Sequence, residues 1–122
     1  MYTKTQMDLL IKEIVSGYDP EKIYLFGSYA RNEVTENSDI DLFIVKNTSK
    51  RKIERNWDVR KCIKNYPTTG LDLIVYTPDE LESAMMETVS IGKEAVNMGK
   101  LLYERIWEMG QKSREWSADN KQ

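Results

Sequence analysis

Residues 22–45, KIYLFGSYARNEVTENSDIDLFIV, decide how the rest of the chain is read. Ile23 to Phe26 is a short apolar run that stops at a glycine, which suits a buried strand. Gly27-Ser28 opens a tight turn into a short helical segment. Ten residues later, Ser38-Asp39-Ile40-Asp41 leads into a second apolar strand, Leu42 to Val45. Side chains alternate along a strand, so Asp39 and Asp41 share one face, while Ile40, Leu42 and Ile44 take the other and are free to be buried.

Two like charges side by side destabilise a strand unless a cation sits between them. A hard divalent ion such as Mg²⁺ takes oxygen ligands, usually a few carboxylates completed by substrate phosphates. Gly27 lets backbone come close to a ligand. The N–H groups that follow it suit an anion, and Ser28 adds a hydroxyl donor. The stretch thus offers a phosphate cradle beside a carboxylate pair. A nucleoside triphosphate bound through magnesium would satisfy both.

Gly27-Ser28, ten residues and Asp39-x-Asp41 together resemble the signature of the DNA polymerase β-like nucleotidyltransferase superfamily. The wording GSYAR…NSDIDLFIV is similar to its minimal nucleotidyltransferases, among them the MntA-type antitoxins paired with HEPN-domain toxins. The resemblance covers roughly residues 5–104, and its spacing is more specific than a lone glycine pair. Many relatives carry Gly after the Arg, whereas Asn32 stands here. Asn tolerates left-handed backbone better than most residues, so the turn is expected to be kept.

Composition narrows the chemistry. One domain is expected of 122 residues with 40% hydrophobic content. No apolar run approaches the length of a membrane span, and no signal-peptide pattern is visible. Cys62 is the single cysteine, which fits a reducing cytoplasm. The absence of histidine excludes Ser-His-Asp and Cys-His catalysis and imidazole-ligated zinc. A net charge of −2 argues against strong nucleic-acid binding. The charge is uneven, however: residues 46–64 carry eight basic side chains against Glu54 and Asp58. Such a segment is either a solvated helix face or an electropositive rim near a triphosphate or an acceptor partner.

Elsewhere the chain alternates helix and strand. Met7, Leu10, Ile11, Ile14 and Val15 form one stripe of a helix over 5–16, with Gly17 as its stop and Asp19-Pro20 as a turn. Asn47-Thr48-Ser49 is expected to cap a helix over about 50–65. Its apolar positions are Ile53, Trp57, Ile63 and Tyr66, with Trp57 read as a core anchor and Pro67 as the end. Gly70 to Tyr76 is a third strand in which Asp72 is the exception. A carboxylate there is costly unless paired, hydrogen-bonded or metal-bound. It is either a strand-end Asp satisfied by backbone donors or, beside Asp39 and Asp41, a further metal ligand. Thr77-Pro78-Asp79-Glu80 is a helix start with a capping box, and Tyr76 with Leu81 can staple it. The helical signal weakens toward Met98, Gly99 ends it, and Leu101 to Tyr103 reads as a last short strand. Residues 105–122 read as a helical or disordered tail, helical to about Arg114, and carry Ile106, Trp107, Met109 and Trp116. The tryptophans either pack back on the domain or form a partner or dimer surface.

The fold implied is α/β, a small mixed sheet with helices packed on it, in a nucleotidyltransferase core over 1–104. The resemblance implies that Asp39, Asp41 and Asp72 are the catalytic, metal-holding carboxylates for two Mg²⁺ ions. It also implies that Gly27 and Ser28 hold the β- and γ-phosphates of ATP, and that Asp72 serves the ion that activates the acceptor hydroxyl. Larger relatives add a domain for the acceptor. With no room for one here, the acceptor is expected on a separate macromolecule, in a homodimer cleft or as a small molecule in an open groove. The resemblance points to AMP transfer onto a tyrosine of a HEPN-domain toxin. An aminoglycoside-type enzyme and a non-catalytic partner-binding subunit are the alternatives.

Overall fold

The computed structural model describes residues 3–35, 38–65 and 70–105, together with the backbone of 113–115. The elements follow as α1 (Lys4–Tyr18), β1 (Lys22–Phe26), β2 (Ile40–Val45), α2 (Lys52–Cys62), β3 (Leu71–Tyr76), α3 (Pro78–Met85), α4 (Ile91–Met98), β4 (Lys100–Arg105) and β5 (Ser113–Glu115). The strands form one mixed sheet in the order β3-β2-β1-β4-β5. Only the β2–β3 pair is parallel, with α2 as its crossover; the other pairs are antiparallel. No helix among the described residues is long and apolar enough to cross a membrane.

Strand alternation sorts the core into two halves. Ile40, Leu42 and Ile44 of β2, with Leu71, Leu73 and Val75 of β3, meet α1 and the Val59–Ile63 end of α2. Phe43 and Val45 face the other way and pack with Tyr24, Phe26 and Ala95. Phe43 meets Tyr76 edge-on at 4.9 Å between ring centroids. Tyr76 and Leu81, the expected staple, both lie against this second cluster.

The predicted capping box at Thr77 forms, and a second, not expected, forms at Thr3. Thr3 Oγ1 accepts from Gln6 N while Gln6 Oε1 accepts from Thr3 N. Thr77 and Glu80 do the same at the start of α3. Gly17 is not the stop of α1. The helix continues through it to Tyr18, and left-handed Asp19 (φ 55°) ends it. Gly17 serves close approach instead, since a Cβ there would lie 2.8 Å from Cys62 Cβ and Sγ. The carbonyls at the end of α1 accept from Lys46 Nζ (Tyr18 O, 2.7 Å) and from Arg105 Nη2 (Asp19 O).

The helix expected over 50–65 is shorter, and its buried side differs. Residues 47–49 do not cap it; Arg51 takes the N-cap position, and Glu54 reaches back to Arg51 N at 3.1 Å. Trp57 is no core anchor: it is 57% exposed and Ile53 is 55% exposed. Ile63 is buried as expected, and Arg55 and Val59 are buried in place of Ile53 and Trp57. The reason is polar. Arg55 Nη1 donates to Val75 O (3.1 Å), Asn56 Nδ2 to Leu73 O (2.6 Å) and Arg60 Nη2 to Leu71 O (2.8 Å). Gly70 O and Tyr76 O accept from β2-side amides, Ile40 N and Lys46 N, so the alternate carbonyls point outward, where α2 meets them. Arg55 also forms a bidentate pair with Glu80 at 2.7 and 3.1 Å and donates to Lys50 O. Four bonds from one guanidinium outweigh the burial of a tryptophan, and they fix the rotation of the helix. This also corrects the reading of the basic segment as a rim near a triphosphate. α2 packs on the sheet face opposite Asp41, where Arg55 and Arg60 donate to backbone carbonyls and Arg51 pairs with Glu54.

Three further expectations change. The helical signal of 78–98 is two helices, because Ser90 caps a new start by accepting from Lys93 N at 3.0 Å. The strand at Leu101–Tyr103 forms within β4 but is not the last. Residues 113–115 are strand, paired with β4, where helix was expected. Tyr66, Pro67, Ile106, Trp107, Met109 and Trp116 lie outside the described residues.

Candidate active site

The loop after β1 makes one turn of helix-like backbone. Arg31 N donates to Gly27 O (3.2 Å) and Glu33 N to Ser28 O (2.9 Å). Asn32 closes it in the left-handed conformation (φ 61°). This six-to-one bond around a left-handed residue is the way helices commonly stop, so the turn survives the replacement of glycine by asparagine. What was expected as a short helical segment is this single turn.

Gly27 has φ 75°, and a Cβ there would overlap Asp41 Oδ2 outright and sit 3.1 Å from Cγ. The Asp41 carboxyl therefore lies directly over the glycine backbone, which no other residue permits. Asp41 is opposite Phe26 on one side and in register with Asp72 on the other, because β2 and β3 run parallel. The parallel register sets the two carboxyls side by side at the same level of the sheet. Asp39 stands one residue before β2 and is exposed, as is Asp72; Asp41 is half-buried. Gly70, at φ 78°, faces Asp39, its missing Cβ 3.4 Å from Oδ1. The three sequence-predicted carboxylates thus meet at one end of the sheet, beside Gly27 and Ser28.

Burial pushes the Asp41 carboxyl up to about 6, helped by its hydrogen bond to Asp72 and by the charges of Asp72 and Asp39; Arg31 opposes the shift. A proton here does what a cation would do better, which is to neutralise carboxylates brought together by the fold. Among the described residues no three acidic or thiol side chains close into a ready-made metal cage. That fits Mg²⁺, which is commonly held by one or two carboxylates with substrate phosphates and water completing the shell. The oxygen-only donor set suits a hard ion and no soft one.

Two nearby residues were not singled out from sequence. Arg31 binds Glu33 (Nε to Oε1, 2.8 Å) and senses the charges of Glu94 and Asp41. Gly70 read only as the start of a strand. Its place just before the strand carrying Asp72 was the available signal.

The chain matches the family described as Polymerase beta, Nucleotidyltransferase over residues 10–106. Two Methanocaldococcus jannaschii proteins, MJ0126 and MJ1305, named as candidate protein adenylyltransferases, are similar over shorter stretches. Identity is 58% over 33 residues, 27% of this chain, with the first and 43% over 51 residues, 41% of this chain, with the second. Those stretches span 34% and 35% of the relatives' own length. A solved structure of a candidate nucleotidyltransferase from Sulfolobus solfataricus shares the fold. Its TM-score is 0.56 at 24% identity, covering 81% of this chain and 78% of that one. A family match across most of the chain, on a shared fold, with the signature residues gathered at one sheet end, leads to one conclusion: this chain belongs to the polymerase β-type nucleotidyltransferases.

Proposed function

We propose that this protein transfers AMP from ATP to a hydroxyl on a second protein, and that the acceptor is a tyrosine of a HEPN-domain toxin which it silences as an antitoxin. The observation that carries the reading is the Asp41–Asp72 pair in register over Gly27, with Asp39 beside it. In this reading Gly27 and Ser28 hold the β- and γ-phosphates, and Asp39, Asp41 and Asp72 hold Mg²⁺. Bound magnesium would supply charge neutralisation for the triphosphate and its leaving group. The acceptor oxygen attacks the α-phosphorus in line. The bond from the α-phosphorus to the bridging oxygen breaks, pyrophosphate departs with that oxygen, and Asp72 takes the hydroxyl proton. Positioning and charge neutralisation supply most of the rate. The names of the two M. jannaschii relatives support a protein acceptor.

The test is co-expression with a HEPN-domain protein encoded beside the gene, followed by intact-mass measurement. One or more AMP adducts on the partner, absent with Asp41→Asn, are expected. An unmodified partner, with nucleotidylation of an aminoglycoside instead, would establish the small-molecule reading.

A further inference from the structure

Among the described residues seven large apolar side chains are exposed, and three of them, Met86, Val89 and Met98, belong to α4 or the connection into it. Val89 is 86% and Met98 69% exposed. With Lys93, Glu94 and Asn97 they line a shallow groove of about 260 Å³. The groove shares a sheet face with the carboxylates. Ala95 of α4 packs in one cluster with Phe43 and Val45, which alternate with Asp41 along β2 on its side. Of the other four, Ile53 and Trp57 project from α2 on the opposite face, and Leu9 and Leu101 lie on α1 and β4.

Size and lining limit the occupant. Small-molecule sites enclose roughly 300–1,000 Å³; this one, at about 260 Å³ and open to solvent, is too small to enclose a polyhydroxylated amine. One apolar side chain of a protein fits. Methionine adapts its shape to such a knob. Charge supplies the second constraint. With Glu80 paired to Arg55, residues 77–98 leave four acidic side chains, Asp79, Glu82, Glu87 and Glu94, against Lys93, which repels a nucleic acid and favours a basic rim on the partner. We infer that the α4 groove is where the acceptor protein docks, seating an apolar side chain between Val89 and Met98 within a basic rim. This rests on the protein-acceptor reading above and adds the surface that presents the hydroxyl.

The test compares Val89→Glu/Met98→Glu with Ile53→Glu/Trp57→Glu in AMP transfer to the HEPN-domain partner, with ATP and Mg²⁺ saturating. All four positions are exposed, so both variants should keep the native melting temperature. The α4 variant is expected to raise KM for the partner at least 10-fold, with kcat and calorimetric ATP affinity unchanged; Val89→Ile/Met98→Leu should behave as native. The α2 variant should match the native protein. A native KM in the α4 variant, or a raised KM only in the α2 variant, overturns the docking surface while leaving the transfer reaction standing. If native protein modifies an aminoglycoside and never the partner, the protein-acceptor reading fails and the docking surface falls with it.

Discussion

Replacing Asp41 with asparagine should make the metal-free protein more stable, and only above acidic pH. The folded state holds the Asp41 proton more tightly than the unfolded chain, about 6 against 3.8. Between those values the folded protein carries the extra proton, so stability falls as pH rises through the interval and stays lower above it. At about 1.4 kcal/mol per pH unit the displacement is worth roughly 3 kcal/mol. Asp41 is only half-buried, and solvent screening reduces this to about 1 kcal/mol. Asparagine keeps the shape of the side chain without its charge. Thermal unfolding in EDTA should therefore show no difference at pH 4 and a gain of about 4 °C for Asp41→Asn at pH 8. Adding Mg²⁺ and ATP should raise the melting temperature of the native protein by mass action and leave the variant unmoved. A variant less stable than native at pH 8 would refute the reasoning, because the carboxylate would then be holding the loop together.

Gly27→Ala should cost about 1–2 kcal/mol for left-handed backbone alone, and by displacing Asp41 it should weaken ATP·Mg²⁺ binding more than 10-fold; unchanged calorimetric affinity would count against the cradle. Arg55→Ala should lower stability by about 3 kcal/mol in urea unfolding, since it strands Glu80 and two backbone carbonyls, Lys50 O and Val75 O. Arg55 holds Glu80 below the ordinary carboxyl range. The pair's contribution is therefore present above that range and lost as pH falls through the lowered value, so the deficit should shrink in acid; a deficit constant with pH would assign it to packing. Trp57→Ala should change stability by no more than about 0.5 kcal/mol, and a loss of several kcal/mol would restore the core-anchor reading.

Local signals carried most of the fold. The capping box at Thr77, the apolar runs ending at Gly27 and beginning after Gly70, and the alternation of Ile40, Leu42 and Ile44 each depend on residues within a few positions of one another. The site was legible for the same reason: Asp39, Asp41, Gly27 and Ser28 occupy one short stretch. Asp72 joins them through the parallel register of β2 and β3, which sequence pattern only suggests. The rotation of α2 was not legible. Hydrophobic periodicity favoured Trp57, whereas the deciding bonds run from Arg55, Asn56 and Arg60 to a strand not yet made when the helix is read alone. Gly17 misled for a related reason, since its small size answers Cys62, far away in sequence. The break at 86–90 was missed because a single serine cap restarts the helix within a continuous helical signal.

The side chains that α2 lays along β3 also bear on how copies of this protein can assemble. A sheet recruits neighbours through its free boundaries, and repeated growth needs two of them. At β3 the outward carbonyls of Leu71, Leu73 and Val75 already have donors, and an arriving strand would have to displace two arginines and an asparagine, one of those arginines buried in an ion pair. The side chains of α2 therefore close this boundary of the sheet to a further strand, so a chain of copies cannot grow through β3.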